Sequence, residues 1–426
     1  MNYGLLDRDF CIQKINELIS VINRLLDGDY PHTDSKSALK RIRNVFSDDL
    51  VLLESVNESD DPNVILEYCR RANINIAKLH PFMGMLIRSS NLRNAFEIYF
   101  PLKVIAVDVV ETDTCVVLSS EWLFSPYTYP TALQELPEFI FIGVPASECQ
   151  NPLIMPLAGH ELGHVVWRRQ GALSAFEPTI RTAVISKYRE NWDRFKKTFG
   201  IATDLGRLET DLFLRRIWTQ SYRLASRQIE ELFCDILGIF LFGRSFLYSF
   251  RYLIAPSLGQ YRAVNYPSLS GRARYMERAA VALGLKDIEG FDIRSFSDKE
   301  PVLSPNDQFI LEMADSVTES LFPKLLDLVH QFHGKAESFA DGSKDEERTR
   351  KALWMLVPPH PVTSISALIN AAWQVRLSLS GWDILKNISD EQKRDREKIR
   401  VLRDLTLKAL EVFEFNRRRQ KHAAQR

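Results

Sequence analysis

The sequence of 426 residues contains only five cysteines, and they are widely scattered. They are Cys11, Cys69, Cys115, Cys149 and Cys234. An odd number without paired spacing argues against a disulfide framework and against a cysteine-based zinc site. The sequence also lacks an excess of charge of either sign, because basic and acidic residues number 55 each. It therefore has no electrostatic feature that would attract nucleic acid or an anionic membrane surface, and no nucleic-acid partner is expected.

A long apolar run is missing as well. The most apolar stretch, residues 236–253, is interrupted by Arg244 and Arg251 and falls short of the roughly 20 apolar residues that a membrane-spanning helix needs. The segment from Met1 to Asp9 contains early acidic side chains and no apolar core typical of a secretory signal. We therefore expect a soluble protein without a membrane span, located in the reducing cytoplasm.

A mainly α fold with a small β-sheet, of the α+β class, is predicted by the hydrophobic pattern. Apolar residues recur at helical spacing in four stretches, which are residues 1–100, 178–250, 306–336 and 363–415. The length of the chain favours two or three domains. We accordingly predict a helical N-terminal region at 1–100, a core at 101–290 and a helical C-terminal region at 300–426.

The strands of the small sheet are predicted from short β-branched and aromatic runs at residues 103–110, 115–120 and 139–144. The first two runs are expected to form a hairpin. Outside the sheet, the charged stretch 341–351 predicts an exposed loop, and the basic residues 417–426 predict a frayed tail.

One short stretch, residues 157–167, indicates a candidate metal or catalytic site. Its polar residues are flanked by apolar ones, as in a mostly buried helix. In a helix, His160 and His164 lie on one face, close enough for both imidazoles to bind one Zn²⁺. Glu161 lies beside that face and can act as a base on water at the metal without being a ligand. The alternative is a helix with two hydrogen-bonded core histidines and an exposed glutamate.

A third protein ligand is expected from a second helix, around residues 228–238. Glu231 and Asp235 are four residues apart and point to the same side of this helix, whose other faces are apolar. We predict Glu231 as the third ligand and Asp235 as the acceptor of the free ring N–H of a ligating histidine. Glu230 points about 100° away and is the weaker candidate. An amphipathic helix with a solvated acidic edge is the alternative for this segment.

The two motifs together resemble the gluzincin metallopeptidases, and most of all the branch that contains the CAAX-processing and heat-shock membrane proteases. His160, Glu161 and His164 match the His-Glu-x-x-His motif of that family, and Glu231 and Asp235 match its Glu-x-x-x-Asp motif. The resemblance implies a zincin-like metallopeptidase core, one zinc ion per chain and a peptide or protein substrate. The absence of membrane spans separates this chain from the membrane-embedded members.

Members of that branch commonly carry a later His-Pro-x-x-x-x-Arg element, and its match here is divided between two segments. Tyr266 stands in place of the histidine in a segment that keeps Pro267 and Arg272, whereas His360 precedes Pro361 in a segment without the arginine. Each proline is predicted at an early position of a helix, and a helix start alone would explain both segments. Placed over the zinc, either Tyr266 or His360 could donate a hydrogen bond to the oxyanion of a tetrahedral intermediate, so both are candidate catalytic residues.

The predicted function is a zinc-dependent metallopeptidase in which His160, His164 and Glu231 hold the metal and Glu161 is the general base toward a zinc-activated water. Two alternatives belong to other classes. In one, zinc only pins helices together without hydrolysis, with His360 as the best candidate for a fourth ligand that closes the site. In the other, a protease-like domain acts as a sensor whose helical N- and C-terminal regions bind a protein partner.

Overall fold

A computed structural model describes most of the chain. It covers residues 3–57, 60–90, 96–110, 113–122, 127–128, 135–169, 171–255, 261–285, 288, 290–331 and 344–424. The structure is mainly helical with a small β-sheet, which confirms the predicted secondary-structure class. Within the described ranges, no helix combines the length and the apolar character needed to cross a membrane. Two compact units are present, formed by Met1–Val107 with Glu111–Gln150 and by Asp108–Val110 with Asn151–Arg426.

The first unit contains an N-terminal group of helices and the sheet. The helices are α1 (Tyr3–Leu26), α2 (Thr33–Glu54), α3 (Pro62–Ser89) and most of α4 (Phe96–Val109), and the strands are β1 (Cys115–Glu121), β2 (Tyr127–Thr128) and β3 (Phe139–Pro145). The strand order is β1-β3-β2, with β1 parallel and β2 antiparallel to β3. Helices α1, α2 and α3 pack on one another, and α2 and α3 also cover β1, so that one apolar core serves helices and sheet.

The predicted strand at 103–110 is wrong, because residues 96–109 form helix α4. In this helix Tyr99 and Lys103 are four residues apart, and both approach the buried carboxylate of Asp34. The ammonium of Lys103 lies 2.6 Å from Asp34, which also accepts a hydrogen bond of 2.8 Å from the backbone N–H of Val116. These tertiary contacts outweigh the β propensity of the run. The predicted hairpin is therefore also wrong, and β1 pairs with β3 instead.

The regular elements described in the second unit are helices, apart from one isolated β-bridge between Tyr261 and Lys299, and they are arranged around a long central helix. Its helices are α5 (Leu157–Arg169), α6 (Ala172–Glu190), α7 (Trp192–Phe199), α8 (Leu212–Phe242), α9 (Arg244–Ile254), α10 (Leu269–Ala282), α11 (Pro305–His330), α12 (Lys344–Trp354), α13 (Ile365–Leu377) and α14 (Glu391–Ala424). Every residue of α8 from 228 to 242 is buried, because α5, α6, α10 and α11 pack around it. Polar side chains in this part of α8 are therefore held in a protein interior.

Two segments predicted as irregular are helical. The predicted loop at 341–351 is wrong for residues 344–351, which belong to α12, while 341–343 lie outside the described residues. Its Glu346 forms a buried ion pair of 2.5 Å with Arg244, so this charged run is not a solvated face. The predicted frayed tail is wrong for residues 417–424, which belong to α14, while 425 and 426 lie outside the described residues. Residues 332–336 of the third predicted helical stretch also lie outside the described residues.

The division into two units differs from the three predicted regions. The sheet shares a unit with the N-terminal helices, and the C-terminal helices share a unit with residues 151–290. Hydrogen bonds account for the second grouping, because Ser221 on α8 donates to Ile310 on α11 over 2.9 Å. Similarly, the backbone N–H of Ser245 donates to Asn370 on α13 over 2.9 Å. Such contacts join residues about 90 to 125 positions apart and have no periodic signal in the sequence.

Candidate metal centre

Helices α5 and α8 cross closely because α5 presents glycines to α8. A Cβ atom built on Gly163 would lie 2.7 Å from Cα of Cys234, and one built on Gly159 would lie 3.3 Å from Cα of Gly238. A side chain at Gly163 would therefore push against the backbone of α8, and one at Gly159 would press on the Phe242 ring, which lies 3.0 Å from the built Cβ. This close crossing brings the His-Glu-x-x-His helix and the acidic helix together, as the sequence analysis required.

The substitution Gly163→Ala tests the crossing. Alanine is about 1 kcal/mol better than glycine inside a helix, yet the new methyl group meets the backbone of α8, and we expect a net loss of about 1–3 kcal/mol in the free energy of unfolding. Urea unfolding of the full chain measures this loss. Gly206→Ala is the matched control, because a Cβ there meets open space, and it should change stability by less than about 0.5 kcal/mol. Equal stability of both variants would contradict the close crossing.

The three predicted metal ligands lie together at this crossing. Nε2 of His160 is 3.3 Å from Oε2 of Glu231, and Nε2 of His164 is 3.6 Å from Oε1 of the same carboxylate. Two donor atoms that each bind a tetrahedral zinc ion at about 2.1 Å are about 3.4 Å apart. The observed separations are close to this value, although they end on the two different oxygens of Glu231, and two histidines with one carboxylate are a common ligand set for catalytic zinc.

The other ring nitrogen of each histidine contacts a further carboxylate of α8, and this carboxylate differs between the two histidines. Nδ1 of His160 lies 2.9 Å from Asp235, and Nδ1 of His164 lies 2.9 Å from Glu230. With Nδ1–H donating to a carboxylate, each ring presents Nε2 as the atom that can bind a metal. The hydrogen bond predicted for Asp235 is thus present, while its effect on metal binding stays a prediction. The contact of Glu230 with His164 was not predicted.

Two arginines hold the outer carboxylates in turn. The guanidinium of Arg272 on α10 donates to both oxygens of Asp235, over 2.6 and 2.8 Å, and stacks over the ring of Phe250 at 4.9 Å. Arg168 donates to Glu230 over 2.5 Å. Burial alone would raise the pKa of Asp235, but the positive charge of Arg272 outweighs it and lowers this pKa to about 2. Asp235 therefore remains an ionised acceptor.

Carboxylates and cationic groups pair within the cluster, because Arg272 and Arg168 hold Asp235 and Glu230 and His160 lies against Glu231. Burial would lower the pKa of His160, but its hydrogen bonds to Asp235 and Glu231 raise this pKa to about 10. Burial would raise the pKa of Glu231, but its contact with His160 outweighs burial and lowers it. Without a metal, His160 thus carries a proton between two carboxylates. A metal ion would replace that proton with its own positive charge.

Glu161 and Tyr266 lie at the edge of this cluster. Glu161 is only 7% exposed and follows His160 on α5. The pKa of the Tyr266 phenol is raised mainly by the negative charge of Glu231, then by burial, and the charge of Glu161 acts in the same direction. The backbone carbonyl of Tyr266 accepts a 3.1 Å hydrogen bond from Arg262, which is itself paired with Asp315 on α11. The segment that carries Tyr266 is therefore fixed to the packed helices.

The structure does not bring His360 to this cluster. Its side chain is exposed, and its Nε2 lies 3.2 Å from the side-chain amide of Asn416 on α14. The prediction that prolines occupy early helical positions in both segments is wrong. Pro267 and Pro361 precede the helices, whose first turns are capped by serine side chains, Ser268 for α10 and Ser364 for α13.

Cys234 is a further donor that the sequence analysis missed. Donor atoms of His160, His164 and Cys234 lie within 4.8 Å of one another. The thiol is fully buried, and burial together with the charges of nearby carboxylates raises its pKa well above the usual value. Zinc binding at Cys234 would require this thiol to lose its proton, which its burial opposes. A lone cysteine without a neighbouring cysteine or histidine in sequence gave no signal of this position.

Comparison with known proteins identifies no relative. No family model matches the chain, and neither curated proteins nor solved structures contain a significant match. The interpretation of the site therefore depends on its own geometry and on the motif resemblance described above.

Proposed function

We propose that the chain is a zinc-dependent metallopeptidase whose metal is held by His160, His164 and Glu231. One observation carries the proposal: the Nε2 atoms of both histidines face the carboxylate of Glu231 at separations of 3.3 and 3.6 Å. Convergence of two histidines on one carboxylate is the arrangement that a metal site with two histidines and one carboxylate requires. The additional bonds from both Nδ1 atoms to Asp235 and Glu230 are the usual outer partners of ligating histidines.

Bound zinc would polarise the scissile carbonyl and lower the pKa of water at an open coordination position. Glu161 then accepts the proton of the attacking water and delivers it to the amine that leaves when the C–N bond breaks. Tyr266 is 42% exposed beside two carboxylates of the site, so its phenol can reach a substrate and donate a hydrogen bond to the carbonyl oxygen as that oxygen becomes negative. His360 takes no part in this proposal.

Metal removal tests the proposed function. We expect the purified full chain to contain about one zinc ion and to hydrolyse an unstructured protein substrate. A chelator should abolish hydrolysis, and one equivalent of zinc should restore it, because the ligands are already positioned in the folded chain. Metal content by mass spectrometry and peptide products by gel and mass analysis provide the two measurements. Hydrolysis that is indifferent to the chelator would refute the assignment.

A zinc site without hydrolysis is the second candidate, and Cys234 is the observation in its favour. If the thiol joined the two histidines and Glu231, four protein ligands would close the site and leave no position for substrate. Cys234→Ala separates the two candidates. A peptidase should keep its zinc and its hydrolysis in this variant, whereas a closed structural site should lose zinc affinity.

A further inference from the structure

The segment of residues 261–268, which carries Tyr266, precedes helix α10 and is attached near both of its ends. Near its start, the backbone N–H of Arg262 donates to the carbonyl of Lys299 over 2.8 Å. At its other end, the carboxylate of Asp298 accepts a 3.0 Å hydrogen bond from the first backbone N–H of α10. Tyr266 lies between these two attachments.

A third attachment comes from the buried side chain of Arg262. Its two terminal nitrogens bind the carboxylate of Asp315 on α11, over 2.9 and 2.5 Å. The remaining N–H group, at Nε, donates to the backbone carbonyl of Tyr266 over 3.1 Å. The rigid fork of a guanidinium makes both contacts at once, which the single ammonium of a lysine cannot do in this geometry. The backbone of Tyr266 is thereby tied to α11.

Asp315 is fixed in turn to the helix that carries Glu231. The side-chain amide of Gln228 donates to Asp315 over 2.9 Å, and its carbonyl oxygen accepts a 2.8 Å hydrogen bond from Thr318. Gln228 is fully buried on α8, three residues before Glu231. Buried polar groups that satisfy one another in this way form a rigid network. A continuous set of hydrogen bonds therefore joins the ligand helix to the backbone of Tyr266.

The phenol of Tyr266 depends on this backbone for its position. In the described part of the chain, no hydrogen bond holds the phenol itself, and 42% of the residue is exposed. The negative charge of Glu231 is nevertheless the main cause of the raised pKa of the phenol. A side chain that is influenced by a site without being bound there is aligned through the chain that carries it.

We propose that Arg262 is a positioning residue, which holds Tyr266 at the metal centre by fixing its carbonyl to Asp315 and Gln228. The inference rests on the proposed function, in which the Tyr266 phenol donates a hydrogen bond to the developing oxyanion. The guanidinium of Arg262 contacts none of the three proposed metal ligands in the described structure, so it acts through Tyr266. A displacement of about 1 Å at a reacting group can reduce a rate by about 10²-fold.

A double-mutant cycle on the full chain tests the proposal. Tyr266→Phe removes the hydroxyl and should lower kcat by about 10²-fold with little change in KM. Arg262→Lys keeps a positive charge beside Asp315 but loses the bond to the Tyr266 carbonyl, and it should lower kcat at least about tenfold. The double variant should be no slower than Tyr266→Phe alone, because both changes remove the same interaction. Effects that multiply, or an unchanged kcat in either single variant, would overturn the proposal.

Arg278→Lys is the matched control for this cycle. Arg278 on α10 also binds a carboxylate of α11, that of Glu319, over 2.8 and 2.9 Å, and its described contacts do not include the segment 261–268. Its replacement should leave kcat within about twofold. Asp315→Asn is a second variant that loosens Arg262 without altering the segment, and it should lower kcat in the same way if Arg262→Lys does not fold. Thermal unfolding and zinc content verify that each variant is intact.

Hydrogen exchange separates failure of this proposal from failure of the proposed function, because it requires no hydrolysis. The backbone N–H of Tyr266 donates to Ala263 over 2.9 Å, and this turn should open more often without the Arg262 guanidinium. Amides of residues 263–268 should exchange at least about fivefold faster in Arg262→Lys and at the normal rate in Arg278→Lys. Equal exchange would overturn the proposal even where zinc-dependent hydrolysis is found. Faster exchange in a chain that hydrolyses nothing would support the attachment and refute the proposed function.

Discussion

Glu161→Gln is expected to keep the zinc ion and to lose hydrolysis by about 10²–10⁴-fold. Glutamine has nearly the same shape as glutamate, so the buried position on α5 is preserved, but its amide cannot accept the proton of the attacking water. The metal ligands are untouched by this change. The measurement is kcat/KM on a peptide substrate together with the zinc content of the same preparation.

A matched substitution controls for the loss of a carboxylate in general. Glu190 is an exposed glutamate at the end of α6 that pairs only with Lys187 in the described structure, so Glu190→Gln should leave kcat/KM within about twofold. If Glu161→Gln retained zinc and hydrolysed at the normal rate, Glu161 would not be the base. If it lost zinc, Glu161 would act as a ligand instead.

The second large effect concerns helix α8, where Glu231→Ala and Asp235→Asn should differ in degree. Glu231→Ala removes one of three protein ligands and should abolish stoichiometric zinc binding and hydrolysis. Asp235→Asn removes the negative charge that orients His160 but keeps one oxygen acceptor, and it should lower zinc affinity or activity by about 10–100-fold. Competition with a fluorescent chelator measures the zinc affinity of each variant.

Asparagine is the better replacement at position 235 because Arg272 also depends on that side chain. Both oxygens of Asp235 accept hydrogen bonds from Arg272, whose guanidinium is buried. Alanine would remove both acceptors and leave this charge without a partner, which costs about 3–5 kcal/mol of stability, whereas asparagine loses the charge but keeps one acceptor oxygen for Arg272. A loss of activity in Asp235→Ala could then arise from unfolding. If Glu231→Ala and Asp235→Asn both left zinc binding unchanged, α8 would not be the ligand helix.

The spacing of residues in the sequence predicted which site residues share one face of a helix. The positions of His160 and His164 on one helix, and of Glu231 and Asp235 on another, follow from separations of four residues. The contact of Glu230 with His164 was missed because Glu230 was evaluated only as a ligand. A second ligating histidine also needs an acceptor for its Nδ1–H. The acidic residue directly before Glu231 could have been predicted to fill that role.

Contacts with residues distant in sequence determine the secondary structure of the two segments that were predicted wrongly. The β-branched run at 103–110 became helical where Lys103 meets the buried Asp34, and the charged run at 344–351 became helical where Glu346 meets the buried Arg244. Each partner lies about 70 to 100 residues away in sequence. No window of local sequence contains both members of such a pair, so propensity alone gives the wrong element.

The close contacts at the glycines of α5 also fix the register of α5 against α8. Gly159 faces Gly238 and Gly163 faces Cys234, so the contacts step four residues in opposite directions along two antiparallel helices. Sliding α8 by one residue would rotate Glu231 by about 100° away from the histidines and would bring larger side chains against the glycines. Packing, which needs no metal, therefore sets the distances among the ligand atoms. If the chain binds zinc as proposed, the ligand atoms are already in position, and metal uptake would exchange a proton rather than fold a domain.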